Sequence, residues 1–306
     1  MHQQIIKIEK PYNFNLFPQF FFKEENRFTP YSYRIDNWSC LISVNGKQIP
    51  VIIHPKRIDD SEFLDVLIHD KTSSSESRMI SQIIKNSFNA NLNLRDFYKA
   101  ALTDKKLQMV LRNLTGLKPY YALDPYHSLI RTVIRQLISA QMALGVMSNL
   151  VTTLGEVYEI ENKKIYGMPT AEKLVKATKN QLLKCKVGYK WKLIKKIAKD
   201  IVTGDLDLSY LAKKDDDYVI EQLMEYTGIG DWTARTFLFD GFHRLNSYPI
   251  YDISVVKAIS NLYHHSRPIS NKEVDKFFVK YRNYRGIAIT YLFGSIWLSK
   301  AGLISK

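Results

Sequence analysis

The sequence predicts an α+β fold, with an antiparallel sheet and helices in the first third of the chain and helices alone after it. Residues 38–44 alternate around a strand-like run, Asn45-Gly46 is a hairpin dipeptide, and residues 48–53 return as a second strand. Later in the chain, apolar residues recur at helical spacing, beginning with one face over residues 129–138. The 306 residues are 45% hydrophobic and 24% charged, a composition typical of globular proteins.

Three strands and two helices are expected in the first third of the chain. The first helix carries isoleucines on one face, and Thr115-Gly116 ends the second. In order, the elements are strands 38–44, 48–53 and 63–68, a serine-rich loop 72–77, a helix containing Ile80, Ile83, Ile84 and Phe88, and a helix over 94–114. An aromatic-rich stretch before them is expected to wrap the core: Phe14, Phe17, Phe20, Phe21, Phe22 and Phe28.

We place a domain boundary within residues 115–125, a segment rich in turn formers and tyrosines. It separates an N-terminal α+β domain, 1–118, from a helical region, 119–306. Asp124-Pro125 is a favourable helix start, and no strand pattern of comparable strength follows it. Further helices are expected over 170–184, 190–201, 218–226, 232–239, 253–263, 271–281 and 286–300.

The charge balance indicates an acidic partner. With 44 Lys+Arg against 30 Asp+Glu, the formal net charge is +14, and nucleic acid is the commonest partner of so basic a chain.

The two cysteines, Cys40 and Cys185, exclude a four-thiolate iron–sulfur cluster, and the seven histidines form no zinc-hydrolase pattern. No signal peptide is readable, and the uncharged stretch 286–298 is too short to cross a bilayer. We therefore expect an intracellular protein without membrane contact.

The motif that bears on function is a short turn between two predicted helices, within residues 218–240. The first helix ends in Thr227-Gly228-Ile229-Gly230, and the second begins at once. Two glycines around one aliphatic residue allow a tight turn whose main-chain amides point outward, and such amides bind phosphate. The same pattern could instead be a plain corner between two helices, and the local sequence does not decide between them.

A second candidate is Asp252, 22 residues after Gly230, at the start of an apolar-periodic helix. Its simplest interpretation is a helix N-cap. A catalytic interpretation is compatible with the first. A helix N-terminus favours an ionised carboxylate, which can stabilise a cation that develops nearby.

Together, segment 223–234 and the aspartate that follows it resemble the signature of the helix-hairpin-helix DNA glycosylase superfamily. Within it, Gly228-Ile-Gly-Asp-Trp-Thr-Ala234 looks most like the alkylation-repair branch, DNA-3-methyladenine glycosylase II. Three further segments are similar to that branch: 135–139, which enters DNA at the lesion, the turn 187–190, and the pocket-lining helix 284–293. The resemblance covers about residues 124–300. It implies a helical region with a catalytic cleft.

The resemblance implies roles for individual residues. Asp252 would be the catalytic carboxylate, stabilising an oxocarbenium-like sugar while water attacks. Gly228 and Gly230 would give amides to a DNA phosphate. Main-chain carbonyls of the hairpin would hold a structural monovalent cation, K⁺ or Na⁺, and these belong to Met224, Tyr226 and Ile229. No other cofactor is implied.

Further implied roles concern the extruded base. Leu137 would be a wedge that fills the space left by the flipped nucleotide, although it also continues an apolar face and could be core. Trp232 and Phe293 would be aromatic walls that attract a positively charged base. Thr236 stands where the branch has a pocket aromatic, which changes one wall.

Trp232 has a second implication. Superfamily members that also cleave the DNA backbone carry a lysine at this place in the hairpin, and a tryptophan cannot form a Schiff base. We therefore expect a glycosylase without lyase activity. Additional DNA contacts are expected from Gln136, Gly188, Tyr189, Lys190 and Arg285. The expected partner is damaged double-stranded DNA, bound by a monomer.

The leading hypothesis is thus a monofunctional DNA glycosylase for alkylated bases such as 3-methyladenine, acting in base excision repair by base flipping. One alternative is a glycosylase for deaminated or oxidised bases: hypoxanthine, uracil or 8-oxoguanine. The other is a DNA-binding module that has kept the hairpin without the chemistry. Asp252 argues against this last alternative, because a pure binder needs no carboxylate facing the sugar.

Overall fold

The N-terminal part of the protein is a five-stranded antiparallel sheet. A computed structural model describes residues 2–16, 31–34, 37–160 and 163–304. The strands are β1 His2–Ile8, β2 Tyr31–Arg34, β3 Asn37–Val44, β4 Lys47–Ile58 and β5 Ser61–Ile68. They lie in the order β1-β5-β4-β3-β2. The predicted α+β class and the three predicted strands are confirmed.

The β3–β4 hairpin follows directly from its turn residues. Asn45 and Gly46 adopt φ values of 51° and 76°, the left-handed conformation that a two-residue hairpin loop requires. Strand β1 was not predicted, because its only buried residues are Ile6 and Ile8 and the alternating pattern is short. Of the aromatic-rich stretch, Phe14 is buried in the sheet core. Phe17 and the later members lie outside the described residues.

Three helices follow the sheet: α1 Ser74–Ser87, α2 Arg95–Ala101 and α3 Lys105–Asn113. The predicted serine-rich loop is wrong in its second half, since Ser73 and Glu76 form a capping box that starts α1 early. The predicted single helix over 94–114 is two helices. Asp104 interrupts it by accepting a hydrogen bond from the Leu107 amide at 3.0 Å and so capping α3.

The rest of the chain is mainly helical, as predicted. Its helices are α4 Pro125–Arg135, α5 Ala140–Leu154, α6 Ala171–Lys176, α7 Lys179–Lys184, α8 Trp191–Thr203, α9 Leu208–Leu211, α10 Asp216–Met224, α11 Asp231–Gly241, α12 Ile253–Tyr263, α13 Asn271–Lys280 and α14 Arg285–Lys300. Single 3₁₀ turns cover Gly188–Lys190 and Arg282–Tyr284.

This region differs from the prediction in several features, including helices α5 and α9, which were not predicted. A small hairpin of β6 Val157–Ile160 and β7 Lys163–Tyr166 interrupts the helices, and each strand is too short to give a strong alternating pattern. The predicted helix over 170–184 is divided, because Thr178 forms a capping box with Gln181 and starts α7. Among the described helices, none is long and apolar enough to cross a bilayer.

The buried apolar residues form three clusters. One lies between the sheet and α1, and a second joins helices α4–α11. The third joins α2 and α3 to α12–α14, so helices on both sides of residue 118 share it. The domain boundary between residues 118 and 119 remains a prediction. Helices α11 and α12 belong to different clusters, and the candidate site lies where they meet.

Candidate active site

A cleft of about 1560 Å³ opens where four elements meet. These are the C-terminal end of α4, the 3₁₀ turn before α8, the turn between α10 and α11, and the start of α12. The structure brings eight of the residues singled out in the sequence to its walls: Gln136, Leu137, Tyr189, Lys190, Tyr226, Gly228, Trp232 and Asp252.

The two carboxylate oxygens of Asp252 have different partners: one caps helix α12, and the other accepts a hydrogen bond from the side chain of Trp232. Its Oδ1 accepts hydrogen bonds from the amides of Ser254 and Val255 at 2.8 and 3.3 Å, so it caps α12. Its Oδ2 accepts the indole N–H of Trp232 at 2.6 Å. Three donors fix the carboxylate in one orientation while it lines the cleft. The N-cap interpretation is therefore confirmed, and it leaves the catalytic one open.

Trp232 reaches Asp252 from the first turn of α11. The indole is half-buried and bridges the two helices whose apolar clusters meet at the cleft. Residue 232 is thus within hydrogen-bonding distance of the Asp252 carboxylate. An indole at this position offers a hydrogen-bond donor but no nucleophilic amine.

The α10–α11 turn has a shape suited to an anion. Gly228 has a φ of 99°, which favours glycine, and Ile229 is buried and anchors the turn. Gly230 is the N-cap of α11 and provides no side-chain cap. A Cβ on Gly230 would meet no atom within 4 Å, so the helix start faces open space. The first amides of a helix lack intrahelical acceptors and can bind a phosphate.

Leu137 projects into solvent at the rim of the cleft. Helix α4 ends at Arg135, three residues before the end of the apolar face over 129–138, and Leu137 has a φ of 57°. Its side chain is 93% exposed. The alternative that Leu137 is a core residue is therefore wrong. Its function as a wedge stays a prediction.

The roles of Trp232, Phe293 and Thr236 as a base pocket stay a prediction. In the part of the chain that the structure describes, the cleft lining includes Trp232 but neither of the others. Thr236 is wholly buried, one helical turn beyond Trp232 on the core face of α11. Phe293 packs edge-on against Tyr248, with ring centroids 6.0 Å apart.

The predicted DNA contacts have different surroundings. Tyr189 is 70% exposed, and a Cβ on Gly188 would meet nothing within 4 Å. Arg285 does not line the cleft, and its amide donates to Asn246 Oδ1 at 2.9 Å. The ammonium of Lys190 lies near the cleft and is buried against main-chain carbonyls, and its role as a DNA contact stays a prediction. Gln136 likewise uses its amide group within the protein.

Three exposed apolar residues of the cleft were missed in the sequence. Ile253 is 85% exposed, Met142 60% and Tyr251 49%. Exposed large apolar groups gathered at a cleft are typical of an interaction surface. Tyr251 and Ile253 adjoin Asp252 in the sequence, and this position beside a candidate catalytic residue could have identified them. Met142 belongs to α5, a helix that was not predicted.

The chain belongs to the family of helix-hairpin-helix base excision repair proteins. Residues 130–282, half of the 306-residue chain, match the HhH-GPD superfamily base excision DNA repair protein. The resemblance drawn from the hairpin and Asp252 is thereby confirmed. The chain is 24% identical over 263 residues to the DNA-3-methyladenine glycosylase of Bacillus subtilis (strain 168), covering 85% of this chain and 87% of that protein.

Solved structures support the fold over nearly the whole chain. The 3-methyladenine DNA glycosylase from Archaeoglobus fulgidus is similar, with a TM-score of 0.85 and 23% identity, over 98% of this chain and 100% of that one. A Clostridium acetobutylicum 8-oxoguanine glycosylase/lyase, solved with double-stranded DNA, has a TM-score of 0.72 and 20% identity. That likeness covers 98% of this chain and 99% of that one.

Proposed function

We propose that this protein is a monofunctional DNA glycosylase that removes alkylated purines, such as 3-methyladenine, from damaged double-stranded DNA, which it binds as a monomer. The observation that carries the proposal is the carboxylate of Asp252, held by the Trp232 indole at 2.6 Å in a cleft whose rim bears the exposed Leu137. The similarity to the Bacillus subtilis glycosylase over most of both chains supports the choice of substrate class.

The geometry suggests how the reaction proceeds. Leu137 occupies the space left by an extruded nucleotide, and the amides at the start of α11 bind a phosphate of the damaged strand. As the bond between sugar and base breaks, the base takes the bonding electrons and leaves as a neutral molecule. Asp252 stabilises the positive charge on the sugar and accepts a proton from the attacking water, whose hydroxyl completes the product.

Substrate class and lyase activity are tested on duplexes that each carry one lesion. We expect base release from alkylated purines, with strand breaks only after alkali and no trapping of a protein–DNA adduct by borohydride. Strand cleavage without alkali would contradict the monofunctional assignment. Release of only hypoxanthine, uracil or 8-oxoguanine would keep the glycosylase assignment and overturn the alkylated substrate.

Trp232→Phe is expected to slow base release by about tenfold, because it removes a hydrogen bond to a charged group worth about 1.5 kcal/mol while keeping an aromatic wall. The measurement is the single-turnover rate of base release with the enzyme in saturating excess over DNA. Trp191→Phe is a matched control, since Trp191 begins α8 and does not line the cleft. An unchanged rate in Trp232→Phe would remove the indole from the mechanism.

We further propose that a monovalent cation binds in the α10–α11 turn. The carbonyl oxygens of Met224, Tyr226 and Ile229 lie within six residues of one turn, and that of Tyr226 accepts a hydrogen bond from the Ile229 amide at 2.8 Å. A carbonyl has two lone pairs, so it can also bind K⁺ or Na⁺. We expect DNA affinity to fall when tetramethylammonium chloride replaces KCl at equal ionic strength. Equal affinity in both salts would refute the cation site.

A further inference from the structure

A lysine ammonium is buried against main-chain carbonyls at the end of α4, just before the exposed Leu137 in the chain. Lys190 is 6% exposed, and its Nζ donates hydrogen bonds to the carbonyls of Ile134 and Gln136 at 2.7 and 2.6 Å. These carbonyls belong to the end of α4, where the last carbonyls lack intrahelical donors. A positive charge at a helix C-terminus also interacts favourably with the helix dipole. Lys190 therefore fixes the main chain at the residue that precedes Leu137.

The side chain of Gln136 fixes the same point from the other direction. Its Nε2 donates to the Gly228 carbonyl at 2.8 Å and to Thr233 Oγ1 at 2.9 Å. Gly228 belongs to the phosphate-binding turn proposed above, and Thr233 to the first turn of α11. Gln136 thus joins three segments: the end of α4, the 3₁₀ turn of Lys190, and the α10–α11 turn.

The conformation of Leu137 needs such support from its neighbours. A φ of 57° is unfavourable for a residue with a branched side chain. With 93% of the residue exposed, the Leu137 side chain has few contacts of its own that could compensate. The surrounding structure must therefore impose the conformation, and the bonds of Lys190 and Gln136 do so at the adjoining peptide.

We propose that Lys190 and Gln136 preset the Leu137 loop for base extrusion, with Lys190 acting as a positioning residue through Leu137 and not as a phosphate contact. The inference rests on the proposed function and deepens it. It has two consequences. The loop holds its extruding conformation before DNA binds, and the wedge is mechanically joined to the turn that binds the phosphate.

The test compares Lys190→Met with Lys195→Met. Lys195 is a matched control on α8, because its Nζ donates to a main-chain carbonyl at the end of α6, that of Ala177 at 2.7 Å, and it does not line the cleft. Base extrusion is measured by the fluorescence of 2-aminopurine placed next to an abasic-site analogue in a duplex. This readout needs no catalysis. An inactive wild-type protein would therefore contradict the proposed function and still allow this test.

We expect Lys190→Met to lower the extrusion equilibrium about tenfold, the effect of losing a charge-assisted hydrogen bond. The dependence of DNA affinity on salt should keep its slope, and Lys195→Met should match the wild type in extrusion. A slope shallower by about one unit with extrusion intact would identify Lys190 as a phosphate contact and overturn the proposal.

A double-mutant cycle separates positioning from general destabilisation. Leu137→Ala alone should impair extrusion, and Lys190→Met should add little in that background because it acts through Leu137. Additive effects would contradict the proposal. Gln136→Leu provides a second variant for the case that Lys190→Met fails to fold, since Gln136 is only partly buried. Gln136→Leu should impair extrusion when Leu137 is present and add little in the Leu137→Ala background. Extrusion by Gln136→Leu at the wild-type level would also overturn the proposal.

Discussion

We expect Asp252→Asn to lower the single-turnover rate of base release by at least about 100-fold, with little change in DNA affinity or thermal stability. Asparagine caps a helix about as well as aspartate, so its side-chain oxygen can keep the bonds from Ser254 and Val255. The variant therefore removes the negative charge that faces the sugar, together with the acceptor of the Trp232 indole N–H, and leaves the start of α12 intact. The rate is measured on a duplex with one alkylated purine.

Asp207→Asn is the matched control for this variant. Asp207 caps α9 with the same geometry, accepting from the amides of Ser209 and Tyr210 at 2.8 and 2.9 Å, and it does not line the cleft. Its base-release rate should equal that of the wild type. A rate for Asp252→Asn within a few-fold of the wild type would show that the carboxylate charge is not needed.

The largest expected effect on stability comes from Asp240. This buried carboxylate forms an ion pair with Arg131 and accepts the hydroxyl of Ser128 at 2.6 Å, which joins α11 to α4. Asp240→Asn removes the buried negative charge from the ion pair with Arg131 and should cost about 3 kcal/mol of unfolding free energy in urea denaturation. The exposed Asp231–Arg235 pair on the same helix provides the comparison, and Asp231→Asn should cost under about 1 kcal/mol. Equal costs for the two variants would contradict a special role for Asp240.

The same residue predicts a pH dependence. Burial acts to raise the pKa of Asp240, but Arg131 and the Ser128 hydroxyl outweigh it and hold the pKa below its ordinary value. A lowered pKa in the folded state stabilises the protein above the unfolded-state pKa of about 3.9, and this contribution is lost as the pH falls through the lowered value. The stability difference between wild type and Asp240→Asn should therefore be constant above about pH 5 and shrink below about pH 4. A difference that grows on acidification would contradict this assignment.

The sequence predicted those parts of the site that depend on local backbone chemistry. Asn45-Gly46 specifies a hairpin turn, the glycine at 228 provides the positive φ of the α10–α11 turn, and Asp252 starts a helix whose bounds are as predicted, Ile253–Tyr263. In each case the residue type and the conformation are linked within a few residues. Such links can be read without knowledge of the packing.

The missed features depend on tertiary packing. Thr236 and Lys190 both looked accessible in the sequence, but one faces the core of α11 and the other is bonded beneath the end of α4. The early end of α4 also has a nonlocal cause. The apolar face continues through Leu137, but hydrogen bonds from other segments keep these residues from continuing the helix. Composition and periodicity carry no information on such contacts.

Base release from methylated duplex DNA tests the proposed function most directly. After incubation with the wild-type protein, the free bases are separated by chromatography, and the DNA is examined before and after alkali. We predict free 3-methyladenine, strand breaks only after alkali, and release by Asp252→Asn that is slower by at least about 100-fold. Tight DNA binding without release of any methylated purine would contradict the alkylation-repair function.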